Sequence, residues 1–153
     1  MARVLIIAFG NPLRCDDGLA WSAAEELSKL SLPADVEIIA RHQLTPELAV
    51  EASQAETVVF IDAAYSGVPG ELASLPLKAQ IPSYASSHEC SPAAILGIAH
   101  ELYGRAPQAF SITLCGECFD HGEALSPRVD ENLPRLVALV SELAKGVAET
   151  AAC

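Results

Sequence analysis

The chain has 153 residues, a net charge of −11 at neutral pH, and a composition that is 51% hydrophobic but only 5% aromatic. That length suits a single domain, expected over residues 1–150, with a core of Ala, Leu, Ile and Val. The excess of acid argues against nucleic acid or anionic lipid as partner, and no apolar run approaches the roughly 20 residues a membrane span needs.

Val4–Phe9 is an unbroken apolar run ended by Gly10-Asn11-Pro12, which predicts a strand buried on both faces followed by a tight turn. Asp16 and Asp17 come next. A helix is expected behind them, where Leu19, Ala20, Ala23, Ala24, Leu27 and Leu30 share one face. One carboxylate there could cap that helix, but two exceed what a cap needs. Val36–Ala40 predicts a second strand, and His42 follows it as an ordinary loop residue. Thr45-Pro46 predicts a helix start, with Thr45 as cap and Pro46 in the first position.

Thr57–Ile61 is a second buried-type run, and it also ends in a carboxylate, Asp62. Gly70–Leu77 predicts a weaker edge strand, because Pro76 cannot sit in the middle of a sheet. Ser91-Pro92 predicts a capped helix burying Ile95, Leu96, Ile98, Ala99 and Leu102, with His88 just before it. Near a helix start an imidazolium is disfavoured, so His88 is expected neutral and able to ligate metal. Ala109–Leu114 is the last strand. The final helix, packing Leu133, Leu136, Val137, Val140, Leu143 and Val147, starts either at an Asp130 cap or at Ser126-Pro127 with Pro134 inside it.

Strands alternating with helices predict an α/β three-layer sandwich: a twisted, mostly parallel sheet of about five strands with helices on both faces. Carboxylates at the carboxyl ends of two buried strands stand where open sheets of this kind keep their ligands. Two rival sites fit less well. His88-x-Cys90 with Cys115-x-x-Cys118 has four zinc-type ligands, but not the spacing of a zinc deaminase. The first turn also lacks the Gly-x-Gly-x-x-Gly of a dinucleotide site. The five cysteines, in a chain with no export signal at its start, fit reduced thiols and a cytoplasmic location.

Phe9-Gly10-Asn11-Pro12-Leu13-Arg14-Cys15-Asp16-Asp17-Gly18 resembles the opening motif of the hydrogenase maturation proteases. The resemblance continues in order through His42-Gln43-Leu44-Thr45-Pro46-Glu47-Leu48, Ile61-Asp62-Ala63, His88 with Ser91-Pro92, Leu102-Tyr103-Gly104-Arg105-Ala106-Pro107 and Gly122-Glu123-Ala124-Leu125-Ser126-Pro127. It implies an endopeptidase that removes the C-terminal extension of a nickel–iron hydrogenase large-subunit precursor after nickel insertion. Asp17, Asp62 and His88 fall on the family's metal-contacting positions and would converge at one rim of the sheet, with Asp16 as a loop-positioning residue or base. The nickel would come with the substrate, and cadmium, zinc or nickel added in vitro is expected to settle in the same place. The family often has Gly where this chain has Ala8, and some members have Glu where it has Asp17. The competing expectation is a non-catalytic, metal-dependent chaperone or binding module for the immature subunit. Either would act as a monomer.

Overall fold

A computed structural model describes residues 3–80 and 90–152, with side chains placed through residue 146. Five strands form one sheet: β1 (Val4–Phe9), β2 (Val36–Arg41), β3 (Thr57–Ala64), β4 (Leu72–Leu77) and β5 (Gln108–Cys115). Their order is β2-β1-β3-β5-β4. All neighbours run parallel except β4, which lies antiparallel on the edge beside β5. Pro76 is on that edge strand, where its missing N–H costs little.

The unbroken apolar runs have a simple cause. Val4, Ile6 and Ala8 of β1 and Val59, Ile61 and Ala63 of β3 pack into one core, while Leu5, Ile7, Val58 and Phe60 pack into the other. Each face of the central strands is therefore covered. Helices α1 (Leu19–Ser28) and α4 (Pro127–Ala152) cover the first face, and α2 (Leu48–Ser53) and α3 (Pro92–Tyr103) the second. Fully buried side chains such as Leu5, Ile7, Phe60 and Leu136 are worth about 2 kcal/mol each.

Local signals explain some boundaries and miss others. Ser91 caps α3 by accepting from the Ala94 amide at 3.1 Å, and Gly104 ends it in the left-handed conformation. Leu102, expected inside, is 69% exposed because α3 presents that side to solvent. Helix α2 begins at Leu48 rather than Pro46 and has no side-chain cap; the Thr45 and Pro46 carbonyls instead take turn hydrogen bonds from Leu48 and Ala49. Helix α4 starts at Pro127, with Pro134 inside it. Leu133, Leu136 and Val140 are buried along it; the side chain of Val147 lies outside the described residues.

Connections from β1 lead outward to β2, whereas β3 lies on the other side of β1. The strand order thus reverses between β1 and β3, and a crevice opens at their carboxyl ends. Among the described residues no helix is long and apolar enough to cross a membrane.

Candidate functional site at the carboxyl ends of two strands

Asp17 and Asp62 stand at that crevice. Asp17 sits in a 3₁₀ turn, Cys15–Gly18, that joins β1 to α1. The turn closes tightly. Gly10 adopts φ +148°, and a Cβ there would run into the Asp17 carbonyl oxygen, so only glycine fits. Neither aspartate caps α1, whose first position follows Gly18 without a side-chain cap. Both carboxylates are committed elsewhere.

Asp17 is 9% exposed. Its Oδ2 accepts from the Asn11 amide at 2.7 Å, and its Oδ1 accepts from the Tyr65 hydroxyl. Tyr65 is held by stacking on Phe119, with ring centroids 4.2 Å apart. Asp62 lies on β3 and, among the described residues, has a single protein donor, the Ala63 amide at 2.7 Å. Burial pushes its carboxyl up, the Ala63 amide offsets part of that, and the Asp17 charge adds to it, so the group titrates at about 7. Burial and the adjoining Asp17 also push the Tyr65 phenol well above its ordinary value. The crevice therefore gathers acidic groups, Asp17 and Asp62, that act on each other.

Asp16 has the opposite surroundings. It is fully buried, and its carboxylate accepts four hydrogen bonds: from the Glu117 amide (2.7 Å), the Cys118 amide (2.9 Å), the Ser126 amide (2.8 Å) and the Ser126 hydroxyl (2.8 Å). Burial alone would raise this carboxyl, but these bonds outweigh it and hold it below the ordinary value. Asp16 thereby ties the loop after β1 to the loop between β5 and α4. Gly116 makes room for it, since a Cβ there would stand 3.0 Å from the Asp16 Cβ and strike the Phe119 ring.

No protein-family model matches the sequence, and neither does any curated protein. Solved structures do match. A hydrogenase 2 maturation peptidase from a Thaumarchaeota archaeon is 28% identical, over 92% of this chain and 97% of its own, with a TM-score of 0.71. The NiFe hydrogenase maturation protease HycI of Thermococcus kodakarensis is 25% identical, over 94% of this chain and 93% of its own, with a TM-score of 0.73. The endopeptidase HybD of E. coli, at 23% identity over 90% and 89% of the two chains and a TM-score of 0.72, agrees in fold. The fold is that of the hydrogenase maturation proteases.

Within this hydrogenase maturation protease fold, His88, the third candidate ligand, lies outside the described residues. Among the described residues no group of three His, Cys, Asp or Glu side chains is spaced to hold a metal. Two carboxylate oxygens and an imidazole nitrogen would suit a borderline divalent cation, and a cation would relieve the repulsion between Asp17 and Asp62. His42 is exposed and packs edge-on against Trp21 at 5.4 Å, and the Trp21 indole donates to the Gly10 carbonyl at 2.8 Å. It supports the loop as an ordinary loop residue would.

Sequence reasoning missed Tyr65, Phe119 and Ser126. Tyr65 reaches Asp17 across 48 residues and Ser126 reaches Asp16 across 110. No local pattern carries such a contact. The one available hint was that Tyr65 follows Asp62 so closely at a strand end.

Proposed function

We propose that this chain is an endopeptidase that trims the C-terminal extension of a nickel–iron hydrogenase large-subunit precursor once nickel is in place. The observation that carries the reading is the pair Asp17 and Asp62. They stand together at the strand-order reversal, and the Asp62 carboxyl is pushed to about 7 by burial and by Asp17. Buried like charges left uncompensated are costly, and such cost concentrates at functional sites. The relatives of the same fold are named as hydrogenase maturation proteases and endopeptidases, which supports the activity.

In this reading Asp17, Asp62 and His88 contact nickel that arrives inside the substrate. Three ligands leave positions open, as an exchangeable site needs, and tight structural sites usually close with four. Nickel is thus substrate cargo rather than a resident cofactor, and the protein acts in the cytoplasm. Tyr65 and the Asn11 amide aim the Asp17 carboxylate, and Asp16 holds the loop that carries it. A groove of about 560 Å³, lined by Pro12, Leu13, Trp21, Glu25, Ile38 and Ala40, adjoins this loop and has room for an extended segment of substrate.

The test is to incubate the purified protein with nickel-loaded and with nickel-free precursor and to weigh the products. A shortened product from the loaded precursor alone is expected. An unchanged mass with stable complex formation would favour a chaperone. Cleavage of nickel-free precursor by protein carrying chelator-resistant zinc would make it an ordinary metalloprotease.

A further inference from the structure

Cys115 and Cys118 read in sequence as one Cys-x-x-Cys pair, but the fold separates them. Cys115 ends β5, is 3% exposed, and turns its thiol to the Gly116 carbonyl at 3.6 Å. Cys118 is joined instead to the loop after β1. The Asp16 amide donates to the Cys118 carbonyl at 2.9 Å, and the Cys118 amide donates to Asp16 Oδ2 at 2.9 Å. Those reciprocal bonds bring Cys15 alongside Cys118, whose thiol approaches Asp120 Oδ2 at 4.0 Å.

Cys15 is held in that position. Its amide donates to the Gly122 carbonyl at 2.7 Å, and its sulfur lies 3.1 Å from where a Gly122 Cβ would stand. Its backbone adopts φ +46°, a left-handed conformation that residues with a β-carbon disfavour. The flanking bonds hold it there and so aim the thiol at the loop that carries Cys118. Both thiols are free and partly exposed, within reach of a small reagent.

We propose that Cys15 and Cys118 are a covalent modification site: a dithiol clasp that closes to a disulfide by exchange with a small-molecule disulfide of the glutathione type. One protein thiolate attacks a sulfur of the oxidised reagent, releases one thiolate and leaves a mixed disulfide. The second protein thiolate then displaces the other half. Two protein thiols lose two protons and two electrons, and one reagent disulfide is reduced to two thiols. The clasp joins the segment bearing Asp17 to the segment leaving β5, which Asp16 already ties non-covalently. The closed loop, about 100 residues long, is in the range where a cross-link strongly restricts the unfolded chain.

The test uses the full chain, reduced and then exposed to oxidised glutathione. Remaining thiols are alkylated and the protein is mapped by peptide mass. The expected result is loss of two hydrogens, one peptide linking Cys15 to Cys118, and a Tm higher by roughly 5–10 °C, all reversed by dithiothreitol. Cys15→Ser and Cys118→Ser should each abolish the link and the rise. Alkyl label or separate glutathione on both cysteines would overturn the proposal. So would a link from either one to Cys90, Cys115 or Cys153, or a linked protein whose Tm does not rise.

Discussion

Asp16 and Asp17 are neighbours in sequence and opposites in setting. Asp16 is surrounded by donors, three amides and a hydroxyl, that hold its carboxyl below the ordinary value. Among the described residues Asp17 has one amide and the Tyr65 hydroxyl, and it faces a second carboxylate, Asp62, which it helps to push to about 7. A carboxylate that the backbone satisfies is a fastening. A carboxylate that the chain buries near its like, with fewer donors among the described residues, is where the proposed cation would bind. Exposure alone would not separate them, since both are buried; the number and type of donors does.

The largest expected effect tests the functional half of that comparison. Asp17→Asn and His88→Ala should each bring cleavage of nickel-loaded precursor below detection while circular dichroism shows a folded chain. Retained cleavage by either variant would remove that residue from the site.

The next effect tests the structural half. Asp16→Asn should lower stability by roughly 3 kcal/mol in denaturant titration, because hydrogen bonds to a charge are the strong ones and their donors would be left buried and poorly paired. The pH dependence has a definite sign. A carboxyl held below its ordinary value contributes stability above that value and loses it as pH falls through the folded one. The gap between wild type and Asp16→Asn should therefore close only in strong acid, below about pH 4. A gap that closes near neutrality would mean Asp16 is not the fastening.

Asp62 should give a smaller effect of opposite sign. Its folded value, about 7, is above the ordinary carboxylate value, so the metal-free protein loses stability as pH rises from about 4 to about 7. Asp62→Asn removes that loss. Its Tm should exceed that of wild type by a margin that grows between about pH 4 and about pH 7. A margin that shrinks over that range would show that Asp62 is compensated in the fold.

The smallest effect is expected from the thiols. With reductant present, replacing Cys115 and Cys118 together by Ser should leave cleavage at the wild-type rate, apart from a modest stability loss at the buried Cys115. Loss of cleavage in a folded double variant would add a thiol to the site that Asp17, Asp62 and His88 are proposed to form.

The sequence by itself determined the sheet strands, because burial on two faces demands unbroken apolar runs and Val4–Phe9 and Thr57–Ile61 supply them. It also placed Asp17 and Asp62 at the carboxyl ends of those strands, since a chain leaving a buried strand must turn where polar residues can be solvated or bound. Short helices were less legible. Helix α2 begins two residues later than its Thr45-Pro46 signal, because turn hydrogen bonds there meet the same need as a cap. Only the tertiary structure decided which aspartate is the fastening, that Tyr65 reaches Asp17, and that the Cys118 backbone bonds to Asp16 beside Cys15. Those contacts join segments 48 to 110 residues apart. Periodicity and spacing act between near neighbours, whereas such contacts exist only after two loops at the rim of a closed sheet have packed against each other.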